Sequence, residues 1–444
     1  MEKIKNGMAR PMMRRTMVVG FWLLLWQLLA FYVDNDIILV TPLQTLFTLG
    51  KLLGEASFWQ TVGMSLLRIG TGFLGGMIAA FLLAYISSHF ALVEELLAPL
   101  MILCKTVPVA VFVVLLLLWW GSSVLAVAIC FLIVLPNLYI STLTGLKNAD
   151  KKLLEMASVF GFSGKTRFLY IYRPGIQPFL NSSLKLSLGL CWKSGVAAEV
   201  IGTPDFSIGE RLYMSKIHLD TAGVFAWAVV IILLSVGFEH LMLKLAEQFW
   251  SWEPRCVRVS EKVIGNSQNQ DAKMSLHIKN VCKSYGGQQV LCQLNALYEP
   301  GNIYYLTDSS GSGKTTFLRI LCGLEQPDAG RVEPKRHYSM VFQEDRLCEN
   351  YSALRNLELV TGSETQAKEA LGTLLEEEAW YKPCSQLSGG MKRRVALARA
   401  MEAVSDCVLL DEPFTGMDED TRKRAEAYIR DRQKGRIIII ATHI

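Results

Sequence analysis

The segment that decides the fold of the C-terminal half is residues 302–316, which read NIYYLTDSSGSGKTT. Its apolar start predicts a strand, and the run FLRILCGL directly after it predicts a helix. In such a loop, glycines let backbone N–H groups surround phosphates, Lys314 reaches the β- and γ-phosphates, and the Thr315 hydroxyl binds Mg²⁺. The segment therefore predicts a nucleotide site. Its expected contacts are Ser309, Ser310, Gly311, Ser312, Gly313, Lys314, Thr315 and Thr316.

The loop departs from the usual pattern at its first position, where Asp308 stands in place of a glycine. Aspartate tolerates turn conformations, so we expect the loop to form. We also expect its negative charge to weaken the binding of a polyphosphate.

Further motifs lie on both sides of this loop. The buried run CVLLDE, residues 407–412, predicts a strand that ends in two carboxylates. There Asp411 is placed to hold Mg²⁺ through water, and Glu412 is placed to polarise an attacking water as general base. The run LSGGM, residues 387–391, predicts a helix N-terminus, which favours an anion. The remaining motifs are KSYGG around Tyr285, VFQEDRL around Gln343, TGMD at 415–418, and the strand 437–440 followed by Thr442-His443.

In this order, the motifs from Tyr285 to His443 resemble the ATPase domain of ABC transporters. The resemblance implies ATP and Mg²⁺ as cofactors, with Gln343, Glu412 and His443 as catalytic residues. It implies that Thr315, Gln343 and Asp411 surround the metal, that adenine stacks on Tyr285, and that Asp418 belongs to the loop that crosses to a partner. The signature of the family corresponds to Leu387, Ser388, Gly389, Gly390 and Met391, and caps the ATP held by the opposite subunit.

The N-terminal half has a different composition. Hydrophobic residues make up 51% of the chain and charged residues only 19%, against about 25% charged in soluble proteins. Long apolar runs up to about Trp252 predict a membrane domain, because a span needs about 20 apolar residues. Pro108 makes the third span the least regular. The six predicted spans are Thr16–Val33, Val62–Ser87, Leu97–Trp120, Val124–Leu146, Leu180–Ile201 and Thr221–Phe249.

Basic residues predict the orientation of these spans. Five lysines and arginines precede the first span, and a basic loop separates spans four and five. Since cytoplasmic loops carry the excess of Lys and Arg, both segments are placed inside. Six crossings then return the chain to the cytoplasm at about Ser251, which is also where an ATPase domain finds ATP. We therefore expect a multi-pass protein of the cytoplasmic membrane, in contact with lipid. The net charge of +5 gives no reason to expect nucleic acid as a partner.

The loop between spans four and five, at about residues 146–178, carries the most informative motif of this half. Glu155-Met156-Ala157 is followed after three residues by Gly161, and nine residues later by Ile171-Tyr172-Arg173-Pro174. This resembles the coupling loop of ABC importer permeases, whose pattern is E-A-A, three residues, G, nine residues, I-x-L-P. The resemblance implies a short helix that docks on the ATPase, through Glu155, Ala157, Gly161 and Pro174. We expect the proline to end the docking element. Met156 and Arg173 depart from the pattern.

The stretches AEVIG (198–202), GERL (209–212) and LDTAGVFAWAVVI (219–231) are similar to permeases of the sulfonate, taurine and nitrate group, which also includes importers of a pyrimidine precursor. Charged residues inside spans are costly and point to function. Lys185 and Lys193 lie near one helical face and are candidates to line an anion pathway. Snorkelling at span ends is the alternative interpretation.

The resulting fold class is an α-helical membrane domain of six spans, as in type I ABC importer permeases, followed by an α/β P-loop ABC ATPase domain. We expect the permease at 1–252, a polar linker at 253–273 and the ATP-binding domain at 274–444. The function implied by the resemblance is ATP-driven uptake of a small solute, either an anion or a sulfonate-like compound. The implied partners are a second copy of the chain, or a separate ATPase, and an extracytoplasmic solute-binding protein.

Three alternatives remain open from the residues. A half-exporter has the same domain order, but it lacks a loop of this kind. A membrane scaffold without ATPase activity is a second alternative, and a heterodimer with a separate full-length ATPase is a third. Two observations favour the scaffold and the heterodimer. Asp308 stands in the phosphate loop, and the sequence ends one residue after His443, where related ATPases continue. The sequence is compatible with a natural minimal form and with a fragment.

Overall fold

A computed structural model describes residues 2–252, 274–309 and 311–442. The predicted linker 253–273 and the predicted site residues Ser310 and His443 lie outside the described residues. The chain divides into two compact units. The N-terminal unit comprises Met1–Lys147 with Ile176–Ser251, and the C-terminal unit comprises Asn148–Gly175 with Trp252–Ile444.

The N-terminal unit is built from helices. Their bounds are α1 Glu2–Val33, α2 Pro42–Leu53, α3 Ala56–His89, α4 Ala91–Thr106, α5 Val109–Trp120, α6 Ser122–Lys147, α9 Arg173–Gly202, α10 Ile208–Ile217 and α11 Thr221–Ser251, with α9 beginning in the other unit. Close packing of α3 on α6 depends on small residues. A Cβ on Gly72 would come within 2.5 Å of the Val127 carbonyl oxygen, so glycine is required there for the two backbones to approach.

A test of length and hydropathy accepts fewer of the described helices than the six predicted spans. Among the described residues, four helices are long and apolar enough to cross a membrane, namely Thr16–Val33 within α1, α3, α6 and α11. The third predicted span is the helix pair α4–α5, which bends by 104° and raises the number to at most five. Pro108 lies at the bend, since it caps α5 and cannot donate a backbone hydrogen bond. The fifth predicted span, Leu180–Ile201, lies within the 30-residue α9 but does not meet the same test, because polar residues and lysines interrupt its apolar surface.

The segment between α6 and α9 groups with the C-terminal unit, although it interrupts the N-terminal one in sequence. It forms α7 (Lys151–Val159), the short α8 (Gly164–Arg167) and a π-helical turn (Phe168–Tyr172) that leads directly into α9. Asp150 caps α7 by accepting from the Lys152 N–H. Gly161, at φ +66°, follows the helix and turns the chain.

The described part of the C-terminal unit contains seven strands. They are β1 Leu276–Tyr285, β2 Gln288–Tyr298, β3 Ile303–Leu306, β4 Ala329–Glu333, β5 Tyr338–Val341, β6 Cys407–Asp411 and β7 Ile437–Ala441. The helices that follow in this unit are α12 Lys314–Leu321, α13 Ala353–Thr361, α14 Glu364–Leu374, α15 Glu377–Trp380, α16 Gly389–Glu402 and α17 Glu419–Asp431. The strands form an antiparallel sheet of order β2-β1-β4 and a second sheet of order β3-β7-β6-β5.

The second sheet positions the site. Its neighbouring strands all pair in parallel, with Leu306 opposite Ala441 and Asp411 opposite Ala441. Every residue of β6 and β7 is buried, as expected for a parallel sheet covered on both faces. The carboxyl ends of β3, β5, β6 and β7 therefore meet at one edge. Ligands of open α/β sheets bind at this edge.

Candidate nucleotide site and coupling loop

The loop after β3 has the geometry of a phosphate cradle. Gly311 and Gly313 adopt φ values of +82° and +90°, a region that side chains rarely allow. Gly313 precedes the first turn of α12, so the free N–H groups of that helix face the loop. The Lys314 ammonium donates to the carbonyls of Asp308 and Ser309, the latter at 3.1 Å. The lysine thus spans its own loop.

Asp308 does not strain this loop. Its φ is not among the positive values of the described residues, so the first position of the loop does not require a glycine here. The remaining effect of the substitution is electrostatic, because a carboxylate stands beside the expected position of the phosphates.

Asp411 and Glu412 follow at the end of β6. Asp411 is buried, and its Oδ2 has no hydrogen-bond partner among the described residues. Burial raises the pKa of Asp411, and the side chain of Thr315 acts against that rise. Asp411, Thr315 and Gln343 line one cavity of about 230 Å³. A buried carboxylate oxygen without a partner, beside a hydroxyl and an amide, fits Mg²⁺, which prefers oxygen ligands and keeps several waters.

Glu412 occupies an unusual backbone conformation, with φ +49°. Residues other than glycine in this region are uncommon and cluster at functional sites. Its N–H donates to the Ala441 carbonyl at 2.9 Å, and its carboxylate accepts from the Thr415 hydroxyl at 3.4 Å. Both contacts fix Glu412 at the sheet edge, next to Asp411.

Arg393 was missed by sequence reasoning. It lies on α16 with only 3% of its surface exposed. It donates to the carbonyl of Phe342 at 2.6 Å, to the Asp345 carboxylate at 3.1 Å and to the carbonyl of Glu412 at 2.7 Å. One guanidinium therefore joins the segment around Gln343 to the end of β6. The signal in the sequence was an arginine on the buried face of a helix, next to Val395 and Ala396.

The predicted signature forms the start of α16. Ser388 caps the helix by accepting from the Met391 N–H at 3.3 Å, and Leu387 is buried beneath it. A Cβ on Gly390 would approach the Gly416 carbonyl oxygen to 2.7 Å, so the signature and the TGMD loop lie against each other. Asp418 caps α17 by accepting from the Thr421 N–H at 2.7 Å. Within one chain, Asp418 thus has a local structural role.

Tyr285 lies at the end of β1, before the turn Gly286-Gly287, and 45% of its surface is exposed. Its hydroxyl lies near the Thr316 side chain, which places the ring next to the start of α12. The Lys283 ammonium lies 5.4 Å from the ring centroid. An exposed aromatic ring beside the phosphate loop is available for a base to stack on.

Glu155 connects the loop between α6 and α9 to this site. Its carboxylate accepts from Arg319 at 3.0 and 3.2 Å and from Arg346 at 2.7 Å. Arg319 lies on α12, directly after the phosphate loop, and Arg346 follows Gln343 by three residues. The pKa of Glu155 is lowered, chiefly because Arg319 donates hydrogen bonds to its carboxylate. Nearby, Lys152 pairs with Glu344 at 2.7 Å in a more exposed position.

The remaining residues of the loop pack into the core of the C-terminal unit. Met156 and Ala157 are fully buried there, together with Phe160. The Arg399 guanidinium lies 5.0 Å from the Phe160 ring centroid. Pro174 is the second residue of α9. The proline therefore lies in the first turn of α9, which tolerates a residue without an N–H. The segment that groups with the C-terminal unit ends one residue later, at Gly175.

Arg173, which departs from the pattern, is buried and has a specific contact. It donates to the Trp252 carbonyl at 2.7 Å, and its guanidinium lies 6.0 Å from the Trp252 ring centroid. Trp252 directly follows α11. A charge-assisted hydrogen bond therefore joins Arg173 to Trp252 within the C-terminal unit.

Both halves of the chain match known protein families. The family described as "Binding-protein-dependent transport system inner membrane component" matches residues 72–247. The family described as "ABC transporter" matches residues 291–415.

Individual relatives match the ATP-binding half. A sulfate/thiosulfate import ATP-binding protein of Rhodopseudomonas palustris is 34% identical over 36% of this chain and 52% of its own length. An aliphatic sulfonates import ATP-binding protein of Nocardia farcinica is 36% identical over 38% of this chain and 70% of its own length. The chain thus spans about half the length of the first relative. A solved dimeric ATP-binding cassette bound to ADP and Pi aligns at 27% identity and a TM-score of 0.36, over 38% of this chain and 88% of that chain.

Proposed function

The chain belongs to the ABC transporter family, with an importer-type permease and an ATP-binding domain in one polypeptide, and we propose that it uses ATP hydrolysis to take up a small anion of the sulfate or sulfonate class. The single observation that carries this proposal is the contact of Glu155 with Arg319 and Arg346. It joins the loop of the permease sequence to the two segments that flank the candidate phosphate and metal site. The names of the relatives, which import sulfate and sulfonates, support the substrate class.

Each residue of the site has a separate role in ATP binding or hydrolysis. Lys314 leaves the carbonyls of its own loop and binds the β- and γ-phosphates, while the N–H groups of 311–315 surround them. Thr315 and Asp411 are placed to hold Mg²⁺, with Gln343 beside them. When bound, the ion neutralises phosphate charge and orients the γ-phosphate. Glu412, fixed by its contacts to Ala441 and Thr415, accepts the proton of the attacking water.

The assembly is part of the proposal. Ser388 and Gly390 stand at a helix N-terminus, which can cap an anion presented by another subunit. We propose a homodimer of fused chains, in which each signature completes the phosphate site of the other copy. An extracytoplasmic binding protein delivers the solute, and the N-terminus and the ATP-binding domain face the cytoplasm. Mass measurement of the purified complex separates this assembly from a heterodimer with a second ATPase.

The test uses the full chain in liposomes. We expect it to hydrolyse ATP, and the variant Glu412→Gln to lose at least about 100-fold in rate, because positioned general bases contribute about 10² to 10⁴. ATP binding should be retained in the variant, since glutamine fills the same volume. A matched control is Glu419→Gln, an exposed glutamate seven residues further on that pairs with Lys423 on its own helix. An unmodified chain that binds ATP without hydrolysing it would instead support the scaffold.

A further inference from the structure

The helix α9 carries two lysines on the surface that the chain leaves exposed. Lys185 and Lys193 are both exposed, as are Leu186 and Leu190 between them. Among the described residues, neither ammonium has a carboxylate within ion-pair distance, whereas Lys147 of α6 pairs with Glu94. Two unpaired cations on one surface of a helix in a membrane domain require an aqueous or anionic partner.

Snorkelling does not account for these lysines. Lys185 lies 12 residues after the first residue of α9, and Lys193 lies 9 residues before its last. At 1.5 Å per residue these separations are roughly 18 and 14 Å along the helix axis, which is beyond the reach of a lysine side chain. Both charges therefore belong to the middle of the helix.

The adjoining surface of α9 is packed against its neighbours, so the direction of the lysines is fixed as well. Leu188 and Trp192 are buried, and a Cβ on Gly195 would come within 2.9 Å of Ile69. Near the end of α9, the buried Glu199 carboxylate accepts from the Ser65 hydroxyl at 2.8 Å. These contacts lock the rotation of α9 against α3.

Gly189 leaves room between the lysines. It lies four residues from each of them, and a Cβ placed on it would meet nothing within 4 Å. Positions i and i+4 are neighbours on a helix surface, so the two ammonium groups lie on either side of an open notch about 12 Å long. Leu186 and Leu190 add an apolar strip beside it.

We propose that this notch is a subsite for a small organic anion, in which the ammonium groups of Lys185 and Lys193 bind a sulfonate and the leucine strip contacts its alkyl group. The proposal rests on the proposed function and extends it by naming residues and a solute class. A mixed surface of this kind favours an alkyl sulfonate over inorganic sulfate, because only the former buries apolar surface on binding.

The test measures whether an organic anion shields the lysines. The purified full chain in detergent is treated with a membrane-impermeant acylating reagent, and the modification of each lysine is read by peptide mass spectrometry. We expect butanesulfonate at 10 mM to slow the labelling of Lys185 and Lys193 at least threefold, and sulfate at equal ionic strength to do so less. Lys51 of α2, which lies 4.6 Å from the Phe47 ring centroid, is the internal control and should not change.

Variants make the result specific. The variant Lys193→Met should lose the protection of Lys185, and Lys193→Arg should restore it. Gly189→Leu should also lose this protection, although both charges remain. Lysines that are not labelled, or labelling that butanesulfonate does not slow, would overturn the subsite. Equal protection by sulfate would overturn the role of the leucine strip. ATP hydrolysis of the same preparation is measured separately, so its absence counts against the proposed function and not against the subsite.

Discussion

The contact of Glu155 with two arginines gives a quantitative prediction for coupling. The variant Glu155→Gln keeps the shape of the side chain and removes its charge. Three hydrogen bonds between ionised groups, at 3.0, 3.2 and 2.7 Å, lose the charge of their acceptor or are lost altogether. Charge-assisted bonds contribute about 1 kcal/mol more than neutral ones, so the upper bound is about 3 kcal/mol.

Solvent reduces this value. The Glu155 side chain is 34% exposed, whereas Arg346 is 11% exposed. We therefore expect a loss of about 1 to 2 kcal/mol in docking of the loop, because partly exposed pairs are screened. This corresponds to a roughly 5- to 30-fold weaker docking equilibrium.

The assay compares two rates in the same proteoliposomes, phosphate release and uptake of labelled solute. We expect uptake per ATP to fall by that factor, while ATP hydrolysis persists. The matched control is Lys152→Met in the same loop. Its ion pair with Glu344 is 57% and 58% exposed, so its loss should cost about 0.5 kcal/mol and change the ratio roughly twofold. An unchanged ratio in Glu155→Gln would refute the reasoning.

The same pair predicts a pH dependence. Because the pKa of Glu155 is lowered in the folded protein, its contribution is fully present above the ordinary glutamate pKa of about 4.3. It is lost only as pH falls through the lowered value. Uptake per ATP in the unmodified chain, divided by uptake per ATP in Glu155→Gln, should therefore be constant from about pH 5.5 to 8. A ratio that changes within this range would contradict the assignment of the effect to this carboxylate.

Three further predictions concern the C-terminal unit. Asp308→Gly should tighten ATP binding about fivefold, since a carboxylate beside the phosphates costs about 1 kcal/mol. The affinity is measured with a fluorescent ATP analogue. Equal affinity in the two proteins would mean that Asp308 points away from the phosphates. Gly161→Ala places a Cβ at φ +66° and should lower the Tm by about 2 to 4 °C. The control Gly164→Ala, with nothing within 4 Å of its Cβ, should leave the Tm unchanged. Similar Tm values for both variants would show that the turn relaxes. Arg399→Met removes a guanidinium that is 1% exposed and donates to the carbonyls of Asp345 and Arg346. The free energy of unfolding should therefore fall by about 2 to 4 kcal/mol in denaturant titrations. A loss as small as that of the exposed Arg422→Met would argue against a structural role.

Local signals explain what the sequence could predict. The strand before Asp308, the phosphate loop and the helix after it are continuous in the chain, so their pattern is visible without any tertiary knowledge. The same holds for β6, where five buried residues end in Asp411. The structure has strands and a helix at these places.

Long-range contacts explain what it could not. The partners of Arg393 come from two separate segments, and no spacing in the sequence reveals that they converge. The sequence also predicts a span within α9, and the helix is long enough for one, but its lysines and small polar residues lower its hydropathy. The π-turn before α9 has no recognisable sequence pattern, so the sequence did not predict that Pro174 lies in the first turn of a helix.

The grouping of Asn148–Gly175 with the C-terminal unit has a consequence for protein engineering. A cut in the linker leaves Glu155, Met156 and Phe160 on the wrong piece, so a separately expressed nucleotide-binding half would lack part of its own interior and expose an apolar surface. Chimeras between related transporters should exchange this segment together with the nucleotide-binding half that it completes. Swaps that respect only the linear domain order are expected to yield poorly soluble products.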